Sequence, residues 1–122
     1  MTTYIWAIII LLIVLAGQIF GISGGYVSTP LFDVPMHIIG GVGIALFICG
    51  FLNARKTDIG HKIKITVIGV LVAGLVWEYF EIHYNLTGYR LWTNAYYLDT
   101  LKDLVDDIIG GLLVAYFYWR KR

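Results

Sequence analysis

LDTLKDLVDDIIGGLLVAYFYW, residues 98–119, decides how the chain is read. Its second half is what lipid demands. Its first half places Asp99, Asp103, Asp106 and Asp107 in a segment that otherwise reads as a membrane helix. Positions four apart share a helix face, so Asp99, Asp103 and Asp107 form a line down one side. Carboxylates are costly in a bilayer and face a bundle interior or a watery cavity. The rest of the chain has to supply what this acidic stripe meets.

Composition sets the frame. The chain has 122 residues, enough for one domain, of which 59% are hydrophobic and 14% charged. With a mean hydropathy of +0.78 it reads as an integral membrane protein, since a soluble domain of this size could not hide so much apolar surface. A net charge of +1 gives no reason to expect a nucleic-acid partner. Cys49 is the only cysteine, so no intrachain disulfide can form, and its apolar neighbours mark it as a small buried residue. No P-loop, CxxC, GxSxG or HExxH motif is present.

Four apolar stretches follow, giving an all-α integral membrane bundle of four transmembrane helices, one domain over 1–122. The spans are expected at about 4–20, 31–52, 63–82 and 98–119. A secretory signal would need a basic start, and MTTYIW has none, so residues 4–20 read as a retained first helix. Gly21 to Pro30 reads as a turn-rich linker. Pro35 falls in the first turn of the second span, where proline is tolerated. Gly40, Gly41, Gly43, Gly69, Gly74 and Gly110 are small residues that let helices approach, and Gly40 and Gly110 are expected at contacts. Residues 53–64 form a polar loop with Arg55, Lys56, Lys62 and Lys64, and 83–97 an aromatic loop suited to a membrane interface. With the tail Arg120, Lys121 and Arg122, one side holds seven of the nine Lys and Arg residues. The positive-inside rule then puts both termini in the cytoplasm.

This topology gathers the ionisable residues. Asp33 and His37 open the second span, Glu78 and Glu81 close the third, and the aspartates open the fourth. Seven of the eight acidic residues thus fall in the outward half, Asp58 excepted. Asp33 and Asp99 also fit helix N-caps, and Asp103 a helix N-terminus. Capping does not account for Glu78 and Glu81, which sit where the helix dipole disfavours anions, nor for Asp107, about 15 Å into its helix. Asp33, His37, Glu78, Glu81, Asp103 and Asp107 are therefore the candidate catalytic and metal-ligating set. So many carboxylates cannot all be ionised without compensation. Either protons are shared or a divalent metal ion sits among them. Oxygen ligands suit Mg, Ca or Mn, and an added imidazole also admits Zn or Fe. A carboxylate and histidine pair equally suits general acid–base chemistry.

Three short motifs resemble the VanZ-like and YjdF-type small integral membrane proteins. They are Asp33-Val-Pro-Met-His37, Glu78-Tyr-Phe-Glu81, and Asp103-Leu-Val-Asp-Asp-Ile-Ile-Gly110. The likeness covers the last three spans. Glu81 and Asp107 depart from it, standing where such chains often have Gln and Asn. The resemblance implies a small helical protein of a bacterial or archaeal plasma membrane with an outward polar site acting at the cell envelope. The expected partners are membrane lipids and a lipid-linked substrate, with homo-oligomerisation open. A cation or proton transporter and a non-catalytic structural protein are the competing readings. The inner halves of all four spans are apolar, which speaks against a pore through a monomer.

Overall fold

The computed structural model describes residues 1–29, 31–86 and 88–121. Pro30 of the expected linker and Arg122 of the basic tail lie outside them. Among the described residues every regular element is helical: α1 (Thr2–Phe20), α2 (Tyr26–Ser28), α3 (Asp33–Asn53), α4 (Ile59–His83) and α5 (Asn94–Arg120). The protein is an integral membrane protein. Three stretches, Thr2–Ser28, Asp33–Asn53 and Ile59–His83, are long and apolar enough to cross a bilayer by length and composition. Helix α5 is long enough, but Lys102, Asp103, Asp106 and Asp107 keep it from meeting the same measure of apolarity.

Several boundaries differ from those expected. The segment after Phe20 is not a turn-rich linker. Its backbone stays helical through a π-type stretch, Gly21–Gly25, and on to Ser28. The break is at Gly24, whose φ of +116° is a conformation that only glycine adopts cheaply. Helix α4 starts four residues earlier than 63, because the Asp58 side chain accepts the His61 N–H at 2.8 Å. Lys62 and Lys64 are therefore helical. Helix α5 starts at Asn94, capped by Thr93, so Asp99 is not an N-cap. Asp33 is not one either: it lies inside α3 and makes no capping hydrogen bond.

The four long helices alternate in direction. A 3.3 Å hydrogen bond between Thr3 Oγ1 and Tyr118 Oη ties the start of α1 to the end of α5, so both chain ends lie at one end of the bundle. Helices α3, α4 and α5 pack on one another, and α1 packs chiefly on α3. Ile8, Leu12, Ile13, Leu15 and Ile19 of α1 stay largely exposed, as a lipid-facing helix requires. At the terminal end, Cys49, Leu52, Ala115 and Trp119 form an apolar core. Lys62 lies beside it with its ammonium 4.8 Å from the Trp119 ring centroid.

The parallel pair α3 and α5 crosses backbone to backbone. A Cβ on Gly41 would strike the carbonyl oxygen of Asp107, and one on Gly110 that of Ile38. Gly110 is thus a contact residue as expected, whereas Gly40 is not. Nothing lies within 4 Å of where its Cβ would be, and the contact belongs to its neighbour Gly41. Lipid tails are as apolar as the helices, so close packing of small residues holds such a crossing.

Candidate functional site

Away from the termini, the α3–α5 crossing sets up a polar cluster. His37 is one turn before Gly41, so the close approach brings its ring against α5. Nδ1 lies 3.2 Å from Asp107 Oδ1. Asp107 has room beside α4 because residue 74 is glycine. A Cβ there would lie 2.5 Å from Asp107 Oδ2. On the other side of the ring, Nε2 lies 3.4 Å from Asp33 Oδ1 and 3.6 Å from Asp103 Oδ2, yet completes no hydrogen bond. Asp33 reaches it from one turn earlier on the same face of α3.

Lys102 closes the network at its rim. Its Nζ donates to Asp33 Oδ2 at 3.0 Å and to Asp103 Oδ1, and lies 3.8 Å from Asp106 Oδ2. Asp103 is 1% exposed, so a charge-assisted bond there is a structural necessity.

Helix α4 contributes Glu78 and Glu81, both buried. Trp77 Nε1 donates to Glu81 Oε1 at 2.9 Å. Neither oxygen of Glu78 has a hydrogen-bond partner; the Thr100 hydroxyl approaches it without closing one. No Lys, Arg or His nitrogen comes within ion-pair distance of Glu78 or Glu81 among the described residues. One donor atom each from His37, Glu78, Glu81 and Asp103 lies within 4.8 Å of the other three. Asp33, Asp99 and Asp103 form a second such group nearer the surface.

Two cavities flank the cluster. One, of about 250 Å³, is an apolar cleft between α1 and α4, floored by α3. Leu11, Val14, Ile44, Val70 and Ala73 line it, and His37 and Asp107 form its polar wall. Gly40 also lines it, which is why that glycine meets no other atom. The other, of about 240 Å³, is the more polar of the two: Asp33, Glu81, Asp99 and Lys102 line it beside Leu31, Val34, Leu86 and the ring of Tyr26. A bond from the Tyr26 hydroxyl on α2 to Gln18 Oε1 on α1 joins one residue of each cavity wall.

Over residues 1–122 the sequence matches a family described as predicted membrane protein (DUF2238). The chain belongs to that family. No curated protein and no solved structure matches it.

In this DUF2238 chain all six candidate residues lie in one neighbourhood. Asp33, His37, Asp103 and Asp107 share direct contacts, and Glu78 and Glu81 approach from α4. Lys102 and Asp106 belong to the same network, and the sequence reading left them out. The signal was available: Lys102 and Asp106 are four apart on the helix that carries the stripe. The Trp77 and Gln18 contributions had no such signal, because a tryptophan or glutamine in an apolar run reads as packing.

Proposed function

We propose that the protein handles the head group of an envelope lipid, or of a lipid-linked intermediate, at an outward-facing carboxylate and histidine site, with a cation assisting. The observation that carries this reading is the cleft between α1 and α4. It is apolar where it borders the bilayer, and its polar wall is His37 and Asp107. An alkyl chain in the cleft would place its head group at the cluster, within reach of the polar cavity and Lys102. A carboxylate-oriented imidazole at that point suits proton transfer to or from the head group. The VanZ-like motifs, with their association with the cell envelope, belong to this proposal. So does passage of α5 through the membrane as a fourth span. Its charges point into the bundle, and its exposed residues Leu101, Val105, Ile109, Leu112 and Leu113 are apolar.

Val70 packs against Gly111 midway along the bundle, which supports a blind site over a conduit. With cytoplasmic termini from the charge asymmetry, the site faces the envelope side of the plasma membrane. Orientation is checked by cysteine labelling in a Cys49→Ser background: Lys121→Cys should react only from inside, and reaction from outside reverses the proposal. Lipid handling is checked with vesicles containing a photoactivatable anionic phospholipid. Adducts should concentrate on Leu11, Val14 and Ile44, and Gly40→Trp, which fills the cleft, should abolish them. Adducts spread evenly over the lipid-facing surface would sink the reading.

A further inference from the structure

The geometry points to a divalent-cation site with four named ligands: His37 Nε2, one oxygen each of Glu78 and Glu81, and Asp103 Oδ2. This rests on the reading above only in naming the assisting cation; its own ground is the arrangement of donors.

Four observations carry it. First, the four donors come from three helices and lie within 4.8 Å of one another. Ligands on metal–ligand bonds of about 2.0–2.2 Å stand at most about 4.0–4.4 Å apart when trans and about 3 Å apart when cis, so the donors draw inward around a bound ion. Second, Glu78 is 4% exposed and neither of its oxygens has a hydrogen-bond partner. A buried carboxylate without protein partners is costly, and a cation is what such a group binds. Third, four of the neighbouring acids already face a basic side chain. Lys102 takes Asp33 Oδ2, Asp103 Oδ1 and Asp106, and Asp107 takes the imidazole. Near the imidazole this leaves Asp103 Oδ2, which faces His37 Nε2 at 3.6 Å, and the two glutamates, which have no Lys, Arg or His nitrogen within ion-pair distance.

Fourth, the imidazole is oriented as a ligand. The Asp107 carboxylate can only accept, so Nδ1 carries a proton toward it; Nε2 is buried without a hydrogen-bond partner, and a cation there would take the place of a second ring proton. A carboxylate behind a histidine, fixing its tautomer and turning the other nitrogen to a metal, is the usual support for a metal-ligating histidine. Asp107 is therefore a positioning residue and not a ligand, a narrower assignment than the acidic stripe alone gave. Three carboxylates and one imidazole favour a hard to borderline ion, and Mn²⁺ fits both donor types.

The test uses the full chain, purified in detergent, stripped with chelator and titrated with Mn²⁺. One ion per chain should bind, and electron spin-echo spectra of the bound ion should show coupling to a single directly ligating nitrogen. Glu78→Gln should weaken binding at least tenfold without lowering thermal stability in the stripped form, since it removes an unpaired buried charge. Asp107→Asn should weaken binding by about 10–100-fold while the nitrogen coupling remains, altered in strength. Asp58→Asn should bind as the parent chain does. No saturable binding at millimolar Mn²⁺, or bound Mn²⁺ with no nitrogen coupling, overturns the site. Because the spectrum is read on the unmodified chain, a variant that fails to fold leaves the test intact. Lipid adducts in the cleft without ion binding overturn the cation site and leave the lipid reading standing. Ion binding without cleft adducts does the reverse.

Discussion

The same three helices build two opposite interiors. At the terminal end, α3 and α5 meet through Cys49, Leu52, Ala115 and Trp119. At the other end they meet through Asp33, His37, Lys102, Asp103 and Asp107. Among the described residues, the terminal end leaves one buried side-chain polar atom without a hydrogen bond, Trp119 Nε1, and the far end leaves six. Packing is not what separates the ends, since Asp103 and Ala115 are equally inaccessible. The terminal end is held chiefly by a fit of shapes, with polar groups partnered at the edge. The far end holds groups that the protein itself does not satisfy, and buried groups of that kind persist where something other than stability keeps them.

The contrast is broken most severely at the crossing between the two ends. Gly110→Leu should abolish folded protein in detergent, because its side chain would enter the main chain of Ile38 and Val42. Gly40→Leu, into the cleft, should purify with thermal stability close to the parent. Equal yields and melting temperatures for the two would show that the glycine crossing does not organise the bundle. Next is Lys102→Met, which strips Asp33, Asp103 and Asp106 of their cation. The cost should be about 2 kcal/mol, below the ~3–5 kcal/mol of a fully buried pair because Lys102 is partly exposed. Adding Asp103→Asn should recover part of it, and denaturation by detergent titration gives both values. A double variant no better than the single would remove the charge argument.

A smaller effect belongs to the terminal end. Cys49→Leu forces extra volume against Ala115 and Trp119 and should cost about 1–3 kcal/mol by the same titration. Unchanged stability would mean that this core is looser than its burial states. The smallest is Asp58→Asn at the start of α4. Asn caps as well as Asp, so the change should stay within about 0.5 kcal/mol. Asp58→Ala should cost about 1 kcal/mol, and a null result there would say that the cap does not hold the early start of α4.

These regions were not equally legible in the sequence. The apolar helices and the single-face spacing of Asp33 with His37, Glu78 with Glu81 and Asp103 with Asp107 follow from helical periodicity, which the sequence displays directly. Which of two adjacent glycines makes the crossing does not. Gly40 and Gly41 differ by one residue-step around the helix, and only the position of α5 distinguishes them. The early starts of α4 and α5 come from Asp58 and Thr93 caps lying inside stretches whose polarity reads as loop. A count of charges does not reveal Lys102, one cation among many acids. Its value lies in reaching three carboxylates at once, and a tally of charges does not contain distance.

The backbone crossing at Gly41 and Gly110 also acts as a fulcrum. Its separation is set by main-chain atoms, so side-chain substitutions elsewhere along the helices do not tune it. The lever arms on either side are unequal. His37 lies four residues from Gly41, about 6 Å along the axis, and Trp119 lies nine residues from Gly110, about 13 Å. A change in helix tilt imposed by a thinner or thicker bilayer therefore swings Trp119 about twice as far as His37, while Asp33, about 12 Å from Gly41 along the axis, moves nearly as far as Trp119. The short arm from Gly41 to His37 shields the reach to Asp107, and bilayer strain is taken up further out, at Trp119 on one side and Asp33 on the other.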